Sequence, residues 1–315
     1  MTPWIARVTW LWLLKGSICL YTVFWVTILK SLKMPQTIVE LLKKGAAANQ
    51  ADKFRKSNLI HLPAEGTLVI SGDLHGHQRN FERVTTFADL AGNPDRHLVL
   101  QEIIHGGPKD SQGDCLSYRV LFDAVRLKLD FPNRVHIIMG NHDVTYITDK
   151  KVMKDGKEMN HSMCVALKRE FPEDYDQIRE AMRELLLSQP LAVRCENRIW
   201  LSHSLPADRH LDKFDTAIFD RQLQDEDLIK PGSVYLLTWG RKHSQSALDE
   251  LANKLDSDFF ILGHQPQQQG FNKVGDNLII VASEHNHGCL LRIDLTKSYT
   301  MEELIDSIVP LASIA

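Results

Sequence analysis

Asp73 and His75 stand two residues apart, directly after the apolar run Leu68-Val69-Ile70 and Gly72. On an extended or turning backbone, residues i and i+2 point the same way. Both side chains can therefore reach one point just past a strand, where α/β proteins keep their sites. Gly72 and Gly76 leave room there for a metal and its ligands. Similar clusters recur. Gln101-Glu102-Ile-Ile-His105-Gly-Gly107 ends a buried run from His97, and Gly140-Asn-His-Asp143 follows Val135–Met139. His203 follows Arg198–Ser202, and Gly263-His264 follows Phe259–Leu262. Any one of these histidines alone reads as an ordinary half-buried or surface residue; recurrence at successive strand ends is what argues for a site. Asp73, His75, Glu102, Asn141, His203 and His264 then form one candidate ligand set. Carboxylate, imidazole and amide oxygen without thiolate suit Mn, Fe or Zn. Six ligands point to two divalent ions sharing one carboxylate. Such a pair, roughly 3.5–4 Å apart, stabilises the attacking and leaving oxygens of a phosphoryl displacement.

The elements needed to position these residues are legible as alternating strands and helices. Strands are expected near Leu68–Ser71, His97–Ile104 and Val135–Met139, with helices over Gln78–Leu90 and around Leu116–Leu127 between them. A charged amphipathic helix spans Glu173–Ser188. A hairpin joins Leu191–Arg194 to Arg198–Ser202. Val234–Trp239 reads as a further strand, and Leu278–Ala282 and Cys289–Ile293 as a closing pair. Met34–Lys44 reads as a short helix and Gly45–Ser57 as a polar linker. The expected division is an apolar segment at 1–33, helix and linker at 34–58, a catalytic domain at 59–300 and a tail at 301–315.

With 315 residues and 43% hydrophobic content, the chain can bury a sizeable core. The net charge of −3 and the lack of a basic run argue against nucleic acid as a partner. Five cysteines without a C-x-x-C pair suggest a reducing compartment. Residues 10–29 are nearly uniformly apolar, about the ~20 needed to cross a bilayer. They read as a membrane association that holds the bulk on the cytoplasmic side. If translation begins at Met34, they lie outside the working protein, which is then simply cytoplasmic.

Gly72-Asp-Leu-His-Gly76, Gly140-Asn-His-Asp143, Leu201-Ser-His203 and Gly263-His264 resemble the signature blocks of the calcineurin-like metallophosphoesterases. Within them the chain is most similar to the serine/threonine phosphoprotein phosphatase branch and its bacterial relatives. The likeness runs from about Leu59 to Leu295. It implies an α/β fold, a four-layer α/β/β/α sandwich of two mixed sheets. It puts Asp73, His75 and Glu102 on one metal and Glu102, Asn141, His203 and His264 on the other. His142 matches the general acid, and the nucleophile would be a metal-bridging hydroxide that attacks phosphorus directly. The implied substrate is a phosphorylated protein or small molecule.

The second block departs from the family's Gly-Asp-x-x-Asp-Arg-Gly. Glu102 replaces the bridging aspartate. His105 stands where a carboxylate orients the catalytic histidine, so a lowered His142 pKa is expected. Gly106 replaces the phosphate-binding arginine, leaving Arg241 as the candidate phosphate contact. Asp110 or Asp114 could restore the missing charge. His77 is expected at a helix start, His136 inside the sheet, and His285 and His287 beside the site. Three functions fit: a phosphoserine/phosphothreonine phosphatase, a small-molecule or dinucleoside-polyphosphate phosphohydrolase, or a metal-binding scaffold with weakened catalysis.

Overall fold

Most strands of this chain are apolar at consecutive positions, a pattern that a sheet tolerates when both its faces are covered. The computed structural model describes residues 37–154 and 157–315. In chain order its strands are β1 (Arg55–Lys56), β2 (Leu59–Leu62), β3 (Thr67–Asp73), β4 (Arg96–Gln101) and β5 (Val135–Ile138). The short β6 (Met153–Lys154) and β7 (Lys157–Glu158) follow, then β8 (Ala192–Cys195), β9 (Ile199–Ser202) and β10 (Phe259–Leu262). β11 (Phe271–Val274), β12 (Leu278–Val281), β13 (Cys289–Asp294) and β14 (Ile308–Pro310) complete the set. One mixed sheet has the order β1-β2-β8-β9-β10-β12-β11 and the other β14-β13-β3-β4-β5.

Alternate residues of one strand serve two different cores. Leu68 and Ile70 of β3 and Val99 of β4 meet Val193, Leu201 and Ile261 of the other sheet, filling the space between sheets. Their neighbours Val69, Leu98 and Leu100 join helix residues such as Phe81, Val84 and Leu121. On the second sheet Trp200, Phe260 and Leu262 share a core with Leu248 and Leu251. The expected sandwich of two mixed sheets with helices outside is the architecture found.

Four local expectations change. Val234–Trp239 is helical, within Ser233–Trp239. Short apolar runs fit either period, and here Thr238 Oγ1 bonds back to Val234 O at 2.9 Å while Tyr235 and Trp239, one turn apart, stack. Gly45–Ser57 is not a free linker: a helix runs over Ile38–Gln50 and packs on the helices Tyr118–Asp130 and Tyr175–Leu187. A Cβ at Gly45 would press on Val125 and Leu185, so the small residues that look like linker composition permit close helix contact. Residues 301–315 are no tail. A capping box at Thr300 and Glu303 starts a helix over Met301–Asp306, and β14 pairs with β13. Finally, β12 and β13 do not pair as strands but lie in different sheets, which meet through a bridge from Asp73 to Ala282. The four described cysteines are free. The segment 10–29 lies outside the described residues, among which no helix is long and apolar enough to cross a membrane.

Beyond the first helix, Asp52 fixes the opposite edge of the five-stranded sheet. Its Oδ2 accepts from Lys128 Nζ at 2.8 Å and lies 3.0 Å from His136 Nδ1. His136 Nε2 in turn lies 3.1 Å from His97 Nδ1. All four residues are buried, so His136 is structural, as expected. Burial, then neighbouring His136, pushes the His97 pKa down to about 3 from 6.5. A depressed imidazole favours folding fully above 6.5, and that contribution fades as pH falls through 6.5 toward 3. Stability of the protein should therefore drop on acidification by up to about 1.4 kcal/mol per pH unit from this group. A His97→Gln variant should show a shallower decline in denaturant midpoint between pH 6.5 and 4.

Candidate metal centre

β3, β4 and β5 run parallel to one another, and so do β9, β10 and β12. The carboxyl ends of the first group carry Asp73, Glu102 and Asn141, and those of the second carry His203 and His264. All five meet. Asn141 Oδ1 lies 2.7 Å from His203 Nε2 and 2.8 Å from His264 Nδ1. Glu102 Oε2 is 3.0 Å from His203 Nε2. Asp73 accepts from the His264 backbone N–H at 2.9 and 3.0 Å and lies 3.9 Å from His75 Nε2. The six sequence-derived candidates thus converge.

The backbone is bent to achieve this. His75, Glu102, His105 and His264 all have positive φ, at 44°, 44°, 82° and 66°. Side-chain-bearing residues enter that region at a cost, and such strain gathers at functional sites. Two glycines provide space rather than turns. A Cβ on Gly140 would collide with Glu102 Oε2, and one on Gly263 with Asp73 Oδ1.

The electrostatics are those of a cation site. Glu102 and Asp73 are buried, and so is Asp143, which accepts from the Gly140 N–H at 2.8 Å. Desolvation pushes Glu102 and Asp143 up to about 8 and Asp73 up to about 7. Among the described residues none of the three pairs with a lysine or arginine; the ion-pair neighbours of Asp73 and Glu102 are histidines. His203 Nδ1 lies 3.2 Å from Gln101 Oε1. A proton on Nδ1 satisfies Gln101 and turns the Nε2 lone pair toward the oxygens of Asn141 and Glu102. Lone pairs facing one another across 3 Å need a positive charge between or beside them. The donor set therefore fits divalent cations. His75, Glu102 and His142 also each offer one atom within 4.8 Å of the others, so His142 borders the same space.

The altered second block has a defined structure. His105 lies against His142 face to face, ring centroids 3.3 Å apart at 14°. It is a stacking neighbour and not the in-plane acceptor that a carboxylate would be, and His142 Nδ1 is buried without a hydrogen-bond partner. Burial first, then His105 and His75, holds the His142 pKa well below its ordinary value, as expected. Asp110 and Asp114 do not restore the charge, because both ion-pair with Arg169. Arg241 is exposed at the rim, its Nε 3.1 Å from His264 Nε2. His77 caps the helix Gln78–Ala88 by accepting from Asn80 N–H. His285 is 2.8 Å from Gln267 O, a contact with backbone. Three residues escaped the sequence reading: Gln101, Asp143 and Trp239, whose ring lies 6.3 Å from His142 and 6.0 Å from His264. The departure from glycine at 101 was the one available signal; Trp239 had none, since its segment read as a strand.

Comparison with known proteins identifies the family and the fold. The model of the calcineurin-like phosphoesterases matches residues 66–268. The chain is 24% identical to the serine/threonine-protein phosphatase 4 catalytic subunit of Kluyveromyces lactis, over 86% of this chain and 92% of that one. It is also 24% identical to a serine/threonine-protein phosphatase of Caenorhabditis elegans, over 70% of this chain but only 47% of that relative's length. Among solved structures, a Saccharomyces cerevisiae protein serine/threonine phosphatase with similarity to human phosphatase PP5 superposes with TM-score 0.62. The match has 15% identity and covers 90% and 96% of the two chains. A cold-active protein-tyrosine phosphatase of a psychrophile Shewanella gives TM-score 0.55 at 16% identity, covering 75% and 77%. The family implies divalent metal ions. With its model spanning well over half of the sequence, the chain belongs to the calcineurin-like phosphoesterases and is a hydrolase of phosphoric esters.

Proposed function

We propose that the protein is a two-metal phosphomonoesterase acting on phosphoserine and phosphothreonine in proteins. The observation that carries this reading is the trio of buried carboxylates at Asp73, Glu102 and Asp143, none of which pairs with a lysine or arginine among the described residues, with Asp73 and Glu102 lying against His203. Asp73, His75 and Glu102 would hold one divalent ion, and Glu102, Asn141, His203 and His264 the other. When bound, the ions supply Lewis-acid stabilisation of phosphoryl oxygens and ease deprotonation of water. The chain's own groups do the rest. Gln101 fixes the His203 tautomer through its Oε1. Arg241 is the exposed guanidinium at the rim and binds phosphoryl oxygen by charge-assisted hydrogen bonds. His142 protonates the leaving alkoxide. Its pKa, held low by burial, rises with a phosphate dianion beside it, and the departing alkoxide takes the proton. His105 positions that ring by stacking.

Metal-stripped protein should be inactive on p-nitrophenyl phosphate and should recover turnover when Mn is added. Full activity in chelator, or a metal-loaded protein that hydrolyses nothing, would refute the reading; the second outcome would leave a metal-binding scaffold.

A further inference from the structure

Beside the metal centre lies a groove of 430 Å³ that shares Arg241 and Trp239 with it and extends away from it over Asp208–His210 and Lys230. Arg241 and Trp239 form its inner end and also touch or approach His264, so the groove opens from the catalytic rim. Three further cations line it: Arg209, Lys230 and Lys242. They come from separate stretches of sequence and are all exposed. Among the described residues none of the three pairs with a carboxylate. The groove's one acid, Asp208, is engaged in accepting from the Ser244 backbone N–H at 3.0 and 3.2 Å. In a chain of net charge −3, such a set of unneutralised cations is a local departure that favours an anionic ligand.

Its aromatic residues argue about which anion. The Tyr235 ring is already stacked on Trp239, centroids 5.7 Å apart at 19°, and Lys150 Nζ lies 5.4 Å from its centroid. It offers poor access to a nucleobase. What remains is a set of exposed positive charges on one groove.

We infer that this groove binds acidic residues flanking the phosphorylated residue of a protein substrate. The inference rests on the phosphoprotein reading above and adds its sequence preference. Each exposed ion pair is weak, so three together should favour an acidic flank by about tenfold in kcat/KM at low salt, declining as salt is added.

Two matched phosphoserine peptides, one flanked by glutamates and one by glutamines, test this in the full chain. The acidic-to-neutral ratio of kcat/KM should be about ten in the parent and near one in Arg209→Glu/Lys230→Glu. A ratio near one in the parent, or an unchanged ratio in the variant, would overturn the inference while leaving phosphopeptide turnover intact. An unphosphorylated glutamate-rich peptide supplies the independent arm. It should compete against p-nitrophenyl phosphate, with inhibition lost in the variant. If it competes while neither phosphopeptide is hydrolysed, the groove stands and the phosphoprotein reading falls. If charge reversal instead impairs only hydrolysis of a dinucleoside polyphosphate, the groove belongs to nucleotides and the inference is wrong.

Discussion

Replacing His142 by asparagine should cut kcat on a phosphoserine peptide by about 10²–10⁴ without changing metal content. The two halves of this expectation come from different atoms of one residue. The backbone N–H of His142 donates to Glu102 Oε1 at 3.1 Å, and that contact survives the substitution, so the Glu102 carboxylate keeps its place. In the proposed role the side chain supplies the proton, which the asparagine amide cannot do. The loss should shrink on p-nitrophenyl phosphate, whose leaving group needs little protonation. Equal losses on both substrates would remove His142 from the role of acid. A fall in bound metal would instead make His142 a ligand, the alternative raised by its grouping with His75 and Glu102 within 4.8 Å.

What could be read from the sequence was what strand geometry dictates. Period-2 side-chain alternation and glycines at strand ends group Asp73, Glu102 and Asn141 at the carboxyl edge of one parallel set and His203 and His264 at that of another. The packing that brings the two edges together is a property of the two sheets and not of any one motif. Misreadings arose where short segments lack a distinguishing period. Val234–Trp239 satisfies either a strand or two helical turns, and the choice was made by tertiary contacts invisible in sequence. The linker reading of Gly45–Ser57 failed for a related reason: small and polar residues mark flexibility unless another helix approaches closely enough to need them. The basic groove was illegible because Arg209, Lys230 and Lys242 do not adjoin one another in sequence, and charge runs detect only neighbours. His105 was the converse case. Its substitution was visible at once, but whether it bonds to His142 or stacks on it depends on ring orientation that no spacing rule contains.

Glu102→Gln should separate metal binding from stability, because the two respond with opposite sign. Burial raises the Glu102 pKa from 4.5 to about 8. A carboxyl raised in this way costs stability, beginning as pH climbs above 4.5 and levelling off past 8. The neutral amide removes that cost. Its oxygen can still accept from the His142 N–H, and its NH₂ can donate to the His203 Nε2 lone pair. Metal-free Glu102→Gln should therefore be more stable than metal-free parent at pH 7, by up to about 3 kcal/mol, with the difference vanishing below pH 4.5. Metal affinity should move the other way. Outer-shell changes typically cost about 10–100-fold, and loss of a carboxylate proposed to bridge both ions should exceed that. Thermal melts in chelator at pH 7 and pH 4, set beside Mn titrations of the same samples, measure both effects. A variant that binds Mn as tightly as the parent would show that Glu102 does not bridge. One that melts no higher in chelator would show that its carboxylate is not the buried charge the cations neutralise.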